Sequence, residues 1–406
     1  MLSQKGSING IIILMDLLAS SIVHYHPMQR MCSDKIYFYP YVNFFYPCVK
    51  SYRSAIPLKW QCLTLYALRF QDVLHHILSL VPLRDAARAA CVSRNFLCSW
   101  RRFPNLTFNW ETLGVNLDDA PLRESAKELV NRINCILENH SGTGVKTLKL
   151  QVSLCGGVIT ANLLDIWLQA SVKSGIVELH LDLPRINSLP FNLSCSLISS
   201  AASSLHSLSL TFCAFHPTPT IGLRNLKNVR LALVHITEEE LGCLFSCTTS
   251  LEKFEVFWCH DFTSLKIPSH LQKLSFLRVF LCRRLQMIEI NAPNVSTFMF
   301  RGPPMKISII NSSQLKRVAM DGQFYSGMFQ YALTKLQSIT SNLQALTLFS
   351  TTEVCSFIYS NMFLSSFIFN YNYIYNKCTL ELNLSLSIFR PSTCRCHLTN
   401  SSTSGI

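Results

Sequence analysis

The sequence predicts an α/β chain in which a block of short helices precedes a solenoid of short parallel strands. Three observations predict it. A pattern of one apolar residue, two variable, one apolar, one variable and one apolar recurs nine times between Val145 and Leu348. A punctuated helical stretch covers residues 71–101. A hydrophobic content of 49% over 406 residues is enough to bury a sizeable core.

Residues 1–69 are rich in Tyr, Phe, Ile and Cys, hold only Asp16 and Asp34 as acids, and show no sustained period of 2 or 3.6. They are left unassigned and expected to be poorly ordered. In the next block Val73, Leu74, Ile77, Leu78 and Leu80 cover one broad helical face, and Pro82 ends that helix. A second helix begins near Leu83, with Asp85 in its first turn and the Ala86 to Ala90 run supplying helix propensity. Ser93 is the expected N-cap of a third helix carrying Phe96, Leu97 and Trp100, and Leu106-Thr107-Phe108 then reads as extended. Three helices of this size cannot bury all their apolar groups among themselves, so a partner surface is expected. A separate amphipathic helix spans 121–139, with Pro121 in the first turn and Ala126, Leu129, Ile133, Ile136 and Leu137 at helical spacing.

The repeated pattern falls at Val145/Leu148/Leu150, Ile176/Leu179/Leu181, Leu205/Leu208/Leu210, Leu226/Val229/Leu231, Leu251/Phe254/Val256, Leu274/Leu277/Val279, Val295/Phe298/Phe300, Leu315/Val318/Met320 and Leu343/Leu346/Leu348. Successive copies start 31, 29, 21, 25, 23, 21, 20 and 28 residues apart. That bracket is the one for leucine-rich repeats, about 20 to 29 residues. The last apolar pair of each copy alternates as a strand does, so both point into the core and the residue between them faces out. No single repeat covers its own apolar row, and stacking joins the rows into one core. The outward residues Lys149, His180, Ser209, Arg230, Glu255, Arg278, Thr297 and Ala319 therefore line the expected recognition face. Among these Lys149, His180, Arg230, Glu255 and Arg278 are the candidate target contacts. Cys213, Cys259 and Cys282 follow the last apolar position of their copies and are expected to be buried as small hydrophobes. Glu238-Glu239-Glu240 after Thr237 reads as a capped helix start.

Domain limits follow: a helical block at 70–110, a linker helix within 111–144, the repeats over 145–350, and a Phe-, Tyr-, Asn- and Ser-rich tail at 351–406. The net charge of +13 is spread along the chain and forms no basic stripe, so no nucleic-acid partner is expected. The apolar run Ile11 to Val23 is too short to span a bilayer of about 30 Å, and Phe357 to Tyr375 is interrupted by Ser and Asn, so no membrane partner is expected either. Seventeen cysteines scattered through long apolar segments fit a reducing compartment, cytoplasmic or nuclear.

The run from Asp72-Val73-Leu74-His75-His76-Ile77-Leu78-Ser79-Leu80-Val81-Pro82-Leu83-Arg84-Asp85 through Ala90-Cys91-Val92-Ser93 to Trp100 resembles the F-box of plant F-box/leucine-rich-repeat proteins, and Pro104 to Phe108 resembles its usual exit. Arg69 and Phe70 stand where that family has a Leu-Pro pair. The resemblance implies an N-terminal three-helix F-box followed by a horseshoe-like leucine-rich-repeat solenoid. It implies a substrate-recognition subunit of a Skp–cullin–F-box ubiquitin ligase, itself non-catalytic. The F-box would dock a Skp-type adaptor and through it a cullin, and the repeats would hold an unknown protein substrate. The alternative is a leucine-rich-repeat binding scaffold or receptor whose F-box has lapsed. Residues matching the docking face are Val73, Leu74, Ile77, Leu78, Leu80, Pro82, Leu83, Ala87, Val92, Phe96 and Trp100, some of which must instead pack the module. No cofactor, metal or catalytic set is expected. There is no phosphate loop, His-Glu-x-x-His helix or Gly-x-Ser-x-Gly elbow, Cys394-Arg395-Cys396-His397 lacks a second ligand pair, and His75-His76 do not share a helical face.

Overall fold

A computed structural model describes residues 73–91, 94–117, 120–172, 175–186, 189–310, 314–322, 327, 331, 343–350, 368–374 and 377–383. Expectations for residues 1–69, the Arg69-Phe70 departure, Val92, Ser93 and the Cys394 to His397 cluster lie outside them. The chain divides into two units, one ending at Ile176 and one beginning at Val177.

In the first unit, α1 (residues 73–79), α2 (Leu83–Ala90) and α3 (Arg94–Trp100) form the helical block. Pro82 does not stop α1, which has already ended; it is the N-cap of α2, with ψ 148°. Its fixed φ and missing N–H suit that place. Pro121 likewise caps α5 (Leu122–Asn139) and does not enter its first turn. Between them lie β1 (Asn105–Phe108) and the short α4 (Trp110–Leu113), which Asn109 and Thr112 close with a reciprocal capping box. β2 (Thr147–Gln151), a 3-10 turn (Ser153–Cys155) and α6 (Ala161–Ser171) complete the unit.

β1 pairs in parallel with β2, Leu106 opposite Leu148 and Phe108 opposite Leu150. Phe103, Leu106 and Phe108 are 1%, 0% and 1% exposed. They form a further copy of the repeat pattern, at a place where only an extended exit from the helices is expected. The chain's own β1 and α4 thus cover part of the helical block, a role expected of a partner. Asn105 Nδ2 donates to the Ser79 carbonyl at 3.2 Å, tying the strand to the end of α1. His140 locks the other side: its Nδ1 accepts from the Gly142 N–H at 2.9 Å, so Nε2 carries the proton and donates to the Phe103 carbonyl at 3.0 Å.

In the second unit, eight parallel strands follow in the order β3 (Glu178–Asp182), β5 (Ser207–Thr211), β7 (Asn228–Ala232), β8 (Lys253–Phe257), β10 (Phe276–Phe280), β12 (Thr297–Arg301), β14 (Arg317–Asp321) and β15 (Ala345–Ser350). Their register aligns Leu179, Leu208, Val229, Phe254, Leu277, Phe298, Val318 and Leu346 in one inward row. All the apolar positions of the nine copies are buried. Behind the sheet lie β4 (Phe191–Leu193), which pairs β6 (Cys213–Phe215), then α7 (Cys195–Ala201), α8 (Glu238–Cys247), and a second parallel sheet of β9 (Ser264–Ile267), β11 (Met287–Ile290) and β13 (Lys306–Ile309).

Copy spacing decides which element fills each return. Spacings of 31, 29 and 25 residues accommodate α6, α7 and α8, whereas 23, 21 and 20 leave room only for β9, β11 and β13. A strand advances about 3.3 Å per residue against 1.5 Å for a helix, so it crosses the layer with fewer residues. Thr237 and Glu240 form a capping box on α8, as the acidic run predicted. After β15 the sheet ends in an antiparallel hairpin of β17 (Lys377–Asn383) and β16 (Ile368–Ile374), with β17 the strand that pairs β15. No helix among the described residues is long and apolar enough to cross a membrane.

Four strand exits share an unusual backbone. Phe212, Leu233, Trp258 and Leu281 have φ of 57°, 54°, 51° and 58°. Each donates its N–H to the last carbonyl of the following strand: Ala232, Phe257, Phe280 and Arg301 respectively. The ladder is thereby carried one rung past the strand, at a cost of about 1–2 kcal/mol per left-handed L-residue.

Candidate docking and recognition surfaces

The structure sorts the residues expected on the docking face. Leu74, Leu78, Leu83, Phe96 and Trp100 are 3%, 0%, 4%, 6% and 7% exposed and form the core of the helical block with Ala86. Leu74 and Leu78 stand one turn apart on α1 and so share its inward side. Val73 and Leu80, at 53% and 68% exposure, lie on the outward side, with Pro82 exposed and Ile77 and Ala87 half-buried. His76 is exposed and His75 half-buried. The module therefore has a filled core and a separate apolar outer edge. Arg132, held by Glu128 at 2.7 Å, donates to the Leu113 carbonyl and so braces α5 against the end of α4.

On the second unit, the outer face of the sheet is built from the first, third and fifth residues of each strand. Arg230 is exposed, with its guanidinium 4.3 Å from the centroid of the Phe257 ring. Arg278 sits between Phe276 and Phe280, at 5.0 and 5.5 Å from their centroids. Glu255 is a correction to the expected contacts. At 5% exposure it is buried, because its two carboxylate oxygens accept from Arg278 Nη1 and Lys253 Nζ, each at 2.8 Å. A carboxylate so engaged orders its neighbours and has little left to offer a partner. Lys149 and His180 are half-buried and partnered within the chain. Ser209 and Thr297 are both 8% exposed and Ala319 is half-buried.

The sequence reading missed the aromatic groups flanking these residues. Phe276 and Phe280 bracket Arg278, and Phe257 packs edge-on against Phe280 at 5.6 Å and tilted against Trp258 at 6.1 Å. Their signal in the sequence is Phe at the outer first and fifth strand positions, outside the inward apolar pair. At the exits of β5, β7 and β8, Arg185, Phe212, Leu233, His235, Trp258 and Asp261 border a cavity of about 230 Å³. Its polar rim is internally engaged, His235 Nδ1 lying 2.7 Å from Asp261. The neighbouring His260 is held below its ordinary pKa by burial first and then by Arg283.

Beneath the exits, Cys213, Cys259 and Cys282 are 0%, 1% and 3% exposed, as the repeat position predicted. Burial raises all three thiols, Cys213 and Cys282 to about 12. No group of three or more potential metal ligands occurs among the described residues.

The chain joins an F-box to leucine-rich repeats. The F-box domain family matches residues 71–108. The family described as At1g61320/AtMIF1, LRR domain, matches residues 136–369, and the chain belongs to it. Among curated proteins, the chain is similar to the F-box/LRR-repeat protein At5g02910 of Arabidopsis thaliana, with 21% identity over 69% of this chain and 58% of that protein. It is also similar to the putative FBD-associated F-box protein At1g61330 of the same plant, with 22% identity over 60% of this chain and 53% of that protein. The chain thus spans little more than half the length of these relatives.

Proposed function

We propose that this chain is the substrate receptor of a Skp–cullin–F-box ubiquitin ligase, acting in the cytoplasm or nucleus. F-box domains dock Skp-type adaptors, and the observation that carries the reading is a matched F-box whose core is already filled while Val73 and Leu80 remain exposed at 53% and 68%. Apolar groups left out of a complete core are available to a partner, and burying the remaining exposed part of each contributes about 1–2 kcal/mol. On this reading Val73, Ile77, Leu80, Pro82 and Ala87 face the adaptor, with the cullin reached through it. The repeats hold a protein target, and the chain supplies no reacting group. Its contribution is proximity: a target lysine held beside the charged conjugating enzyme experiences a raised effective concentration.

The test is co-purification of the full chain with a Skp-type adaptor, comparing the natural sequence with Leu80→Glu. Retention by the natural chain and a loss of at least tenfold in affinity for the variant support the reading. No retention of the natural chain, beside an F-box control that binds, rejects it in favour of a repeat scaffold with a lapsed F-box.

A further inference from the structure

We propose that the outer face of β5, β7 and β8, together with the cavity at their exits, binds an acidic peptide segment carrying one bulky apolar side chain. The inference rests on the receptor reading in supposing that the peptide belongs to a target.

Three features at the cavity point to a ligand. Phe212, Leu233 and Trp258 border it with φ of 57°, 54° and 51°. The same backbone recurs at Leu281 away from the cavity, and here it sets three bulky side chains around one space. Trp258 remains 42% exposed although a large apolar ring gains by burial. The volume of about 230 Å³ lies below the range of roughly 300–1,000 Å³ usual for small-molecule sites and suits a single leucine- or phenylalanine-sized group.

The charge beside the cavity selects the rest of the ligand. Arg185 stacks over Phe212 at 5.3 Å and Arg230 over Phe257 at 4.3 Å. Neither guanidinium forms an ion pair or hydrogen bond with a described residue. Phe257 is also the ring next to Trp258, so one aromatic joins the Arg230 cation to the cavity wall. A guanidinium that lies over a ring and has no ion-pair partner keeps N–H donors for a carboxylate. The neighbouring cations are already engaged: Lys253 and Arg278 share Glu255, and Arg301 pairs with Asp321 at 3.4 Å. Each guanidinium offers a fork that a single carboxylate can fill. Opposite Arg230 in register, Ser209 is 8% exposed and its Oγ is buried without a hydrogen-bond partner.

The experiment uses the full chain and fluorescein-labelled nonapeptides of the pattern Gly-Ser-Glu-Asp-Phe-Glu-Asp-Ser-Gly, read by fluorescence anisotropy. Saturable binding is expected. It should weaken at least tenfold when the peptide's Phe becomes Ser, when its acids become amides, or when the protein carries Arg230→Gln or Trp258→Asn. Melting curves should show both variants folded. Absence of saturation at millimolar peptide, equal binding of the amide peptide, or indifference to Arg230→Gln would overturn the proposal. So would tighter binding of a phosphoserine peptide lacking the Phe. Adaptor co-purification is measured on the same preparation. Adaptor binding without peptide binding rejects this site alone, and peptide binding without adaptor rejects the receptor reading alone.

Discussion

Replacing Glu255 by Gln keeps the side chain's shape and removes the charge on which Lys253 and Arg278 converge at 2.8 Å each. Breaking a fully buried pair by removing one partner costs about 3–5 kcal/mol. Here the anion's side chain is 6% exposed, but Arg278 and Lys253 are 27% and 42% exposed, so both cations keep much of their hydration. Discounting for that solvent screening leaves about 1–2 kcal/mol of lost stability. The double variant Glu255→Met with Arg278→Met replaces charge by apolar volume and should lie within about 1 kcal/mol of the natural chain. Urea unfolding can follow both through Trp258, three residues from Glu255 and the sole tryptophan in the sequence after residue 177. A Glu255→Gln midpoint indistinguishable from the natural one, at equal slope, would refute the assignment of Glu255 as the ion that holds these strands' outer charges.

Leu78→Ala, which empties a fully buried position, should cost about 2–5 kcal/mol, whereas Leu80→Ala at 68% exposure should change urea stability by no more than about 0.5 kcal/mol. With its thiol raised from 9.0 to about 12, Cys213 should hold about a thousandfold less thiolate at pH 8. Peptide mapping after iodoacetamide should therefore find the exposed Cys91, Cys98 and Cys135 modified in the native chain and Cys213 only in denaturant. Burial alone would raise the Glu240 carboxyl, but hydrogen bonds from Thr237 and the His216 contact at 2.6 Å hold it below 4.5. Its contribution is present above pH 4.5 and is lost as the pH falls through the lowered folded value, so Glu240→Gln should flatten the decline of stability below pH 4.5. Thr237→Ala, which removes the cap itself, should cost about 1 kcal/mol.

The inward rows were legible because a strand's alternation and a stacked core impose one pattern on every copy, from Val145 to Leu348. The earlier copy at Phe103, Leu106 and Phe108 escaped notice because it lies 42 residues before the next and directly abuts α3. The returns were less legible. Residues such as Leu265 and Ile267 alternate too briefly to declare a strand, and only the spacing between copies betrays which element fits. At the helical block, periodicity gives the apolar residues but does not separate Leu78 from Leu80, because it does not show that α1 ends between them and leaves Leu80 in the turn. Glu255 shows the same blindness on the sheet. Its outward position was readable, but its burial depends on Lys253 beside it and Arg278 from the next strand.

The left-handed residues at 212, 233, 258 and 281 place a constraint on this chain that hydrophobicity does not express. Each must tolerate positive φ and still donate an N–H, so asparagine or glycine can stand there, β-branched residues strain, and proline is barred on both counts. In a saturation mutagenesis of folding, these four sites should stand out by an inverted preference, with small polar residues outranking valine and isoleucine. Their intervals of 21, 25 and 23 would let the phase of the array be read from tolerance data alone, even in a homologue whose apolar rows have drifted beyond recognition.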